Sequence, residues 1–253
     1  MIRNQSLYLC HLGFLHLPPA KFVRVACAAG FSSVGLRTKR AAPGGIEYNY
    51  DPHHADTAHL VSILDETNSS ILYIETFDLK RKTDVQDALP MLEFGQAVGA
   101  TRLSVSGGDT DFEIVAEKLA ELVEIAKPHG ISVDLEFMPF HCVKSLSDAI
   151  EVVCGYGPTG GHILLDMLHI VRSGTAPLEI SQMDPELIGS FQICDGPKEK
   201  PATAEALIEE ARGNRLLPGF GEFPIKEAMR SLPASVPIGA EVPRPSCSAS
   251  SDL

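Results

Sequence analysis

The chain has 253 residues, 44% of them hydrophobic and none of them tryptophan, and its 21 Lys and Arg against 33 Asp and Glu leave a formal charge of −12. That length and apolar content supply one large core. The acidic balance, with no Lys/Arg cluster along the chain, disfavours a nucleic-acid partner, because phosphate binding needs a basic footprint; a small polar or anionic substrate can still be held by a few local cations. No apolar run is long enough to span a bilayer. The stretch Leu7 to Leu17 is interrupted by His11, Gly13 and His16 and precedes no small-residue cleavage site, so it reads as a first strand running into a loop. Cys10, Cys27, Cys142, Cys154, Cys194 and Cys247 are scattered without a C-x-x-C pair. They signal neither a zinc knuckle nor a disulfide framework, and are expected to be mostly buried thiols in a reducing cytoplasm.

In chain order, short apolar runs alternate with longer amphipathic ones. Strands are expected over Leu7–His11, Val34–Arg37, Ile71–Thr76 and Leu103–Ser106, and helices over Ala20–Ala29, His54–Glu66, Asp84–Val98 and Asp111–Lys127. Gly30, Gly99, Pro128 and Gly130 supply stop signals. The second half repeats the rhythm, with strands at Ser132–Phe137, Ile163–Asp166, Phe191–Cys194 and Ile238–Val242. Its helices fall at Ser147–Cys154, Glu205–Arg212 and Ile225–Ser231, with a short helical turn at Glu186–Ile188. Eight strands alternating with helices, and no dinucleotide fingerprint after the first, predict a closed parallel (β/α)8 barrel over residues 1–243. After the eighth strand the Ser/Pro-biased residues 244–253 read as a disordered tail, so the eighth outer helix is expected to be missing or shortened. The exposed flank this leaves is compatible with a homodimer.

Four of these apolar runs carry a carboxylate or amide at or near the end: Glu136, Asp166, Gln192 and Glu241. In a parallel barrel, strand ends share one rim, so the four are expected to converge as oxygen ligands of one divalent cation. Three carboxylates and an amide suit Mg²⁺ or Mn²⁺ better than structural zinc, with Co²⁺ or Zn²⁺ as further candidates. A cation bound by adjacent hydroxyl and carbonyl oxygens acidifies the carbon-bound proton between them and stabilises the resulting enediolate. Glu136 and Glu241 come from different strands, so one can remove a proton while the other returns it. A lone strand-end carboxylate is more commonly a helix cap; the case rests on the set of four. Glu75 and Asp109, following the third and fourth strands, are candidate pocket residues. Asp195 is either a substrate contact or a cap. Gly219 and Gly221 mark a tight turn. His53, His54 and His59 read as solvated residues of an outer helix, and the loop Gly44–Asp51, with Tyr48 and Tyr50, is a candidate lid.

The segments Val133-Asp-Leu-Glu-Phe, Leu165-Asp-Met-Leu-His-Ile, Phe191-Gln-Ile-Cys-Asp, Arg215-Leu-Leu-Pro-Gly-Phe-Gly-Glu and Ala240-Glu-Val, in this order and spacing, resemble the xylose isomerase-like barrels. That family includes sugar and sugar-phosphate epimerases, hydroxypyruvate isomerase and inosose dehydratase. The resemblance implies that Glu136 is a metal ligand and catalytic base, that Asp166 is a ligand, and that His169 contacts substrate. It implies that Gln192 occupies a ligand position that is usually held by His, but that Gln also holds in the hydroxypyruvate-isomerase-like branch. It further implies that Glu241 is a ligand and second base and that Arg215 binds substrate oxygens.

The expected function is therefore a metal-dependent isomerase or epimerase of a small keto-sugar or other polyhydroxy carbonyl compound. A dehydratase acting on inosose or 3-dehydroshikimate is the alternative within the same architecture, and a non-catalytic ligand-binding barrel the alternative outside it. A multi-zinc repair endonuclease would need further strand-end histidines and a basic groove, neither of which the sequence displays. The absence of a phosphate-binding fingerprint leans toward unphosphorylated substrates.

Overall fold

The computed structural model describes residues 6–37, 39–40, 45–48, 50–108, 110–157 and 159–244. Eight strands form a closed barrel in which each pairs in parallel with its sequence neighbours, and the eighth returns to the first. They are β1 (Leu7–Cys10), β2 (Ser33–Arg37), β3 (Ser70–Leu79), β4 (Arg102–Gly107), β5 (Ser132–Glu136), β6 (His162–Asp166), β7 (Ile188–Ile193) and β8 (Ile238–Ala240). Around them lie α1 (Pro19–Ala28), α2 (Ala55–Thr67), α3 (Leu89–Ala97), α4 (Phe112–Ala126), α5 (Leu146–Ile150), α6 (Met167–Ser173), α7 (Pro177–Gln182), α8 (Ala204–Gly213) and α9 (Ile225–Ser231).

The main core includes residues such as Phe22 of α1, Leu36 of β2, Ile63 of α2, Leu119 of α4 and Phe191 of β7, all fully buried. A separate buried cluster contains Tyr8 and Tyr73. Both phenols hydrogen bond with Ser190 Oγ, at 3.3 and 2.9 Å, and Tyr73 also donates to Asp134. Arg102 reaches both Asp134 oxygens at 2.8 and 2.9 Å. A buried carboxylate is tolerable only when so satisfied, and this network fills space that aliphatic side chains would otherwise occupy.

Several element boundaries differ from the sequence expectation. The expected helix Asp84–Val98 divides into a 3-10 turn at Val85–Ala88 and α3, because Pro90 lacks an N–H and is accommodated in a first turn. Ser147–Cys154 is likewise not one helix: α5 ends at Ile150 and passes into a wider π turn over Glu151–Gly155. The 167–184 segment holds two helices that its weak periodicity did not reveal, α6 closed by Gly174 in the left-handed region (φ +83°) and α7 opened by Pro177. β3 runs three residues beyond Thr76, to Leu79, whereas β8 stops at Ala240 and leaves Glu241 just past the strand.

Of the described cysteines all are free, but only Cys10 and Cys194 are buried, so "mostly buried" is corrected: Cys27 and Cys142 are half-buried and Cys154 is exposed. His53, His54 and His59 are exposed as expected, and His54 caps α2 by accepting from Asp56 N at 3.2 Å. Asp109, Gly44 and Asn49 of the candidate lid, and the tail after Arg244 lie outside the described residues. Within the rest of that loop, Tyr48 Oη donates to Leu15 O at 2.7 Å and Tyr50 Oη to Arg37 O, which ties both rings to the barrel flank.

Candidate active site and metal centre

Strand register brings the polar ends together. Asp166 is the pairing partner of Gln192, Ser106 of Glu136, and Arg37 of Glu75. Glu241 is fixed one residue past β8 by its N–H donating to Ile193 O at 3.1 Å. Single carboxylate oxygens of Glu136, Asp166 and Glu241 lie within 4.8 Å of one another, and all three residues are buried. A second such group joins Cys10, Glu75 and Glu241, so Glu241 belongs to both. Close approach of Glu75 to β2 requires a residue without a side chain: a Cβ on Gly35 would lie 2.5 Å from Glu75 Oε1.

Asp166 has two tasks. Its Oδ1 caps α6, accepting from Leu168 N at 2.8 Å and His169 N at 3.1 Å, while Oδ2 accepts from Arg215 at 2.6 Å. An ionised carboxylate offers about four acceptor sites, so capping does not exhaust it. Arg215 is 2% exposed. It lies between two acids, with its other terminal nitrogen 2.8 Å from Glu241 Oε2 and its Nε donating to Ala211 O at 2.9 Å. His169 Nε2 is 3.6 Å from Glu136 Oε1, and Phe140 meets the imidazole edge-on at 5.7 Å between centroids.

Burial sets the charge states. It pushes the Glu136 carboxyl well above its ordinary value, reinforced by the charges of Glu241 and Asp166. Glu241 is raised for the same first reason, tempered by Arg215. Glu75 is pushed up to about 8 by burial and then by Glu241. For Asp166 burial also acts upward, but Arg215 and His169 outweigh it and hold the group below the usual carboxylate range. Burial lowers His169 to about 4, which makes it a neutral imidazole at pH 7.

Glu136, Glu241, His169 and Arg215 line one cavity of about 570 Å³ at the barrel mouth. Asp166, Gln192 and Glu75 are buried and are not among the residues that line it. Asp195 is not among the residues lining that cavity and caps none of the described helices. Its two oxygens accept from Gly196, Gly219, Gly221 and Phe223 N–H at 2.9–3.0 Å, so it organises the 216–223 loop. Gly221 is required there, since a Cβ would overlap Asp195 Oδ1 and the Gly196 backbone. The cavity also takes Arg37, Lys39, Thr76, Asp78, Ser106 and His141. Sequence reasoning missed these, although Arg37 and Ser106 stand at the very strand ends where rim residues belong.

A divalent cation fits these residues. The three acids converge in a buried space, and Gln192 Oε1 is buried without a hydrogen-bond partner among the described residues. An oxygen left unsatisfied in the interior is costly, and a cation ligating Gln192 Oε1 would relieve that cost.

A family model described as the xylose isomerase-like TIM barrel matches residues 23–252, and the chain belongs to that family. Among solved structures, the IolI protein with a bound zinc atom superimposes with a TM-score of 0.78 at 18% identity, over 96% of this chain and 91% of that one. The probable 3-DHS dehydratase AsbF from Bacillus anthracis gives 0.70 at 15% identity, covering 93% and 91%. D-psicose 3-epimerase, solved in the presence of D-fructose, gives 0.71 at 12% identity, covering 94% and 84%. At these identities the likeness concerns the fold. A comparison with curated protein sequences finds no significant relative. Among the described residues, no helix is long and apolar enough to cross a membrane.

Proposed function

We propose that this chain is a divalent-metal-dependent isomerase or epimerase of a small keto-sugar or related hydroxy-carbonyl compound. The observation that carries the reading is the convergence of Glu136, Asp166 and Glu241 within 4.8 Å at the floor of a cavity large enough for a small sugar. Glu136, Asp166, Gln192 and Glu241 would hold the ion, which when bound would polarise the substrate's carbonyl and hydroxyl oxygens. Glu136 and Glu241 both line the cavity and approach it from separate strands. One removes the proton from the carbon between hydroxyl and carbonyl, and the other delivers a proton to the neighbouring position or the opposite face. Arg215 holds Asp166 and Glu241 in place and keeps Asp166 ionised. His169, neutral and packed by Phe140, is a hydrogen-bond donor for a substrate oxygen.

The test combines metal content with proton exchange. Elemental analysis should find near one Mn²⁺, Mg²⁺ or Zn²⁺ per chain, lost in Glu136→Gln and Asp166→Asn. In D₂O the wild-type protein should move deuterium into a keto-sugar next to its carbonyl. No bound ion after incubation with Mn²⁺, together with no exchange across keto-sugars, would leave a ligand-binding barrel as the remaining reading. Loss of water from inosose or 3-dehydroshikimate without exchange would identify a dehydratase.

A further inference from the structure

The cavity wall is more basic than the chain as a whole. In a protein with 21 cationic against 33 acidic residues, the wall includes Arg37, Lys39, Arg40, Lys80, Lys82 and Arg212 in addition to Arg215. The carboxylates there are Asp78, Asp87, Glu136 and Glu241. These cations come from the ends of β2, the turn after β3 and the end of α8, which are distant in sequence and meet only when the barrel closes.

Arg37 favours the charged forms of Glu75 and Glu241 without pairing with either, and the other cations of the wall are not needed to neutralise the site acids. Arg215 is already paired with Asp166 and Glu241, and a divalent ion would balance the remaining charge of the three acids. Two of the cations are satisfied locally, Lys80 by Asp78 at 3.1 Å and Arg40 by Glu47 at 2.6 Å. Arg37, Lys39, Lys82 and Arg212 form no ion pair among the described residues. Arg37 is the last residue of β2, and its Nε is buried with no hydrogen-bond partner among the described residues. Lys39, exposed on the cavity wall, holds its ammonium 4.4 Å above the Phe77 ring. A buried guanidinium nitrogen without an acceptor has an unmet need, and a cleft lined with one sign of charge concentrates the opposite sign in a ligand.

We propose that the substrate carries an oxyanion, a carboxylate or phosphate placed away from the reacting carbonyl, and that Arg37 and Lys39 receive it at the β2 side of the mouth. This rests on the keto-sugar reading above for the remainder of the substrate, and it narrows that reading to sugar acids or sugar phosphates. The planar guanidinium supplies directed donors and the ammonium a compact charge.

Calorimetric titration of the full chain with D-fructose, D-fructuronate and D-fructose 6-phosphate compares one sugar skeleton with and without each anion, and inorganic phosphate is titrated alongside. At least one anionic sugar should bind ten-fold or more tightly than fructose. That preference should weaken as salt is raised and vanish in Arg37→Gln and in Lys39→Gln. Whichever anion is preferred distinguishes carboxylate from phosphate. Equal binding of all three sugars, or an anion preference unchanged in both cation variants, overturns the inference and leaves the keto-sugar reading intact. Saturable phosphate binding lost in Arg37→Gln, with no binding of any sugar, keeps the oxyanion site and overturns the keto-sugar reading. No binding of phosphate or of any sugar overturns both.

Discussion

The His11 ring lies nearly parallel to Phe22, 4.5 Å between centroids, with Nε2 bonded to the Leu17 carbonyl at 2.9 Å. The sequence placed His11 at the end of a strand; it instead opens a 3-10 turn, fully buried. Burial lowers it to about 4, the leading cause being desolvation of the charged ring. The unfolded chain takes up this proton near pH 6.5. Between those values the unfolded state binds more protons, so stability falls as pH drops from about 6.5 and the loss levels off below about 4. For His11 alone this amounts to about 2 kcal/mol by pH 5. Urea titrations across pH 4–7 should show this acid limb, and in His11→Phe its slope should be shallower by about one proton. An unchanged slope would show that the ring is already protonated in the fold. Asp195, a carboxylate two residues past a strand, shows a related effect: its oxygens accept from the N–H groups of its own loop, which the sequence did not reveal.

Helices α6 and α8 are joined by a buried ion pair. Arg172 donates from Nε to Glu210 Oε2 at 2.8 Å and from a terminal nitrogen to Oε1 at 2.5 Å, and also to Pro197 O at 2.9 Å. Its guanidinium covers Phe223 at 4.9 Å, so one side chain links α6, α8 and the segments flanking the Asp195 loop. Removing either partner strands a charge in the interior. Arg172→Met or Glu210→Leu alone should destabilise by roughly 3–5 kcal/mol. The double variant should lose clearly less than the sum, as read from denaturant midpoints; strict additivity would show that the two charges do not depend on each other. None of this was legible beforehand, because α6 is seven residues long and too short for periodicity to stand out. Strand ends were legible because a buried strand is an uninterrupted apolar run, and the residue that breaks the run marks the rim.

For the molecule as a whole, an ion held as proposed would tie β5, β6, β7 and the residue after β8 together at one end of a closed barrel, and a ligand that binds only the folded state stabilises it. At a hundred-fold excess over its dissociation constant, Mn²⁺ should add about 2.7 kcal/mol, or about 5–10 °C in Tm for a domain of this size. The shift should disappear in Asp166→Asn; scanning calorimetry with and without chelator measures it, and an equal shift in the variant would place the ion elsewhere. The sequence by itself determined the barrel and the candidate ligands Glu136, Asp166, Gln192 and Glu241, since strand period and parallel topology send every strand end to the same face. It left room for a few local cations but did not reveal that Arg37, Lys39, Lys80, Lys82 and Arg212 meet on one wall. Nor did it show that Arg215 sits between two site acids or that Asp195 is taken up by its own loop. Local pattern encodes the direction and face of each element, because those follow from backbone period. Which charges become neighbours, and which polar atoms lose their water, is decided only when strands distant in sequence close the barrel.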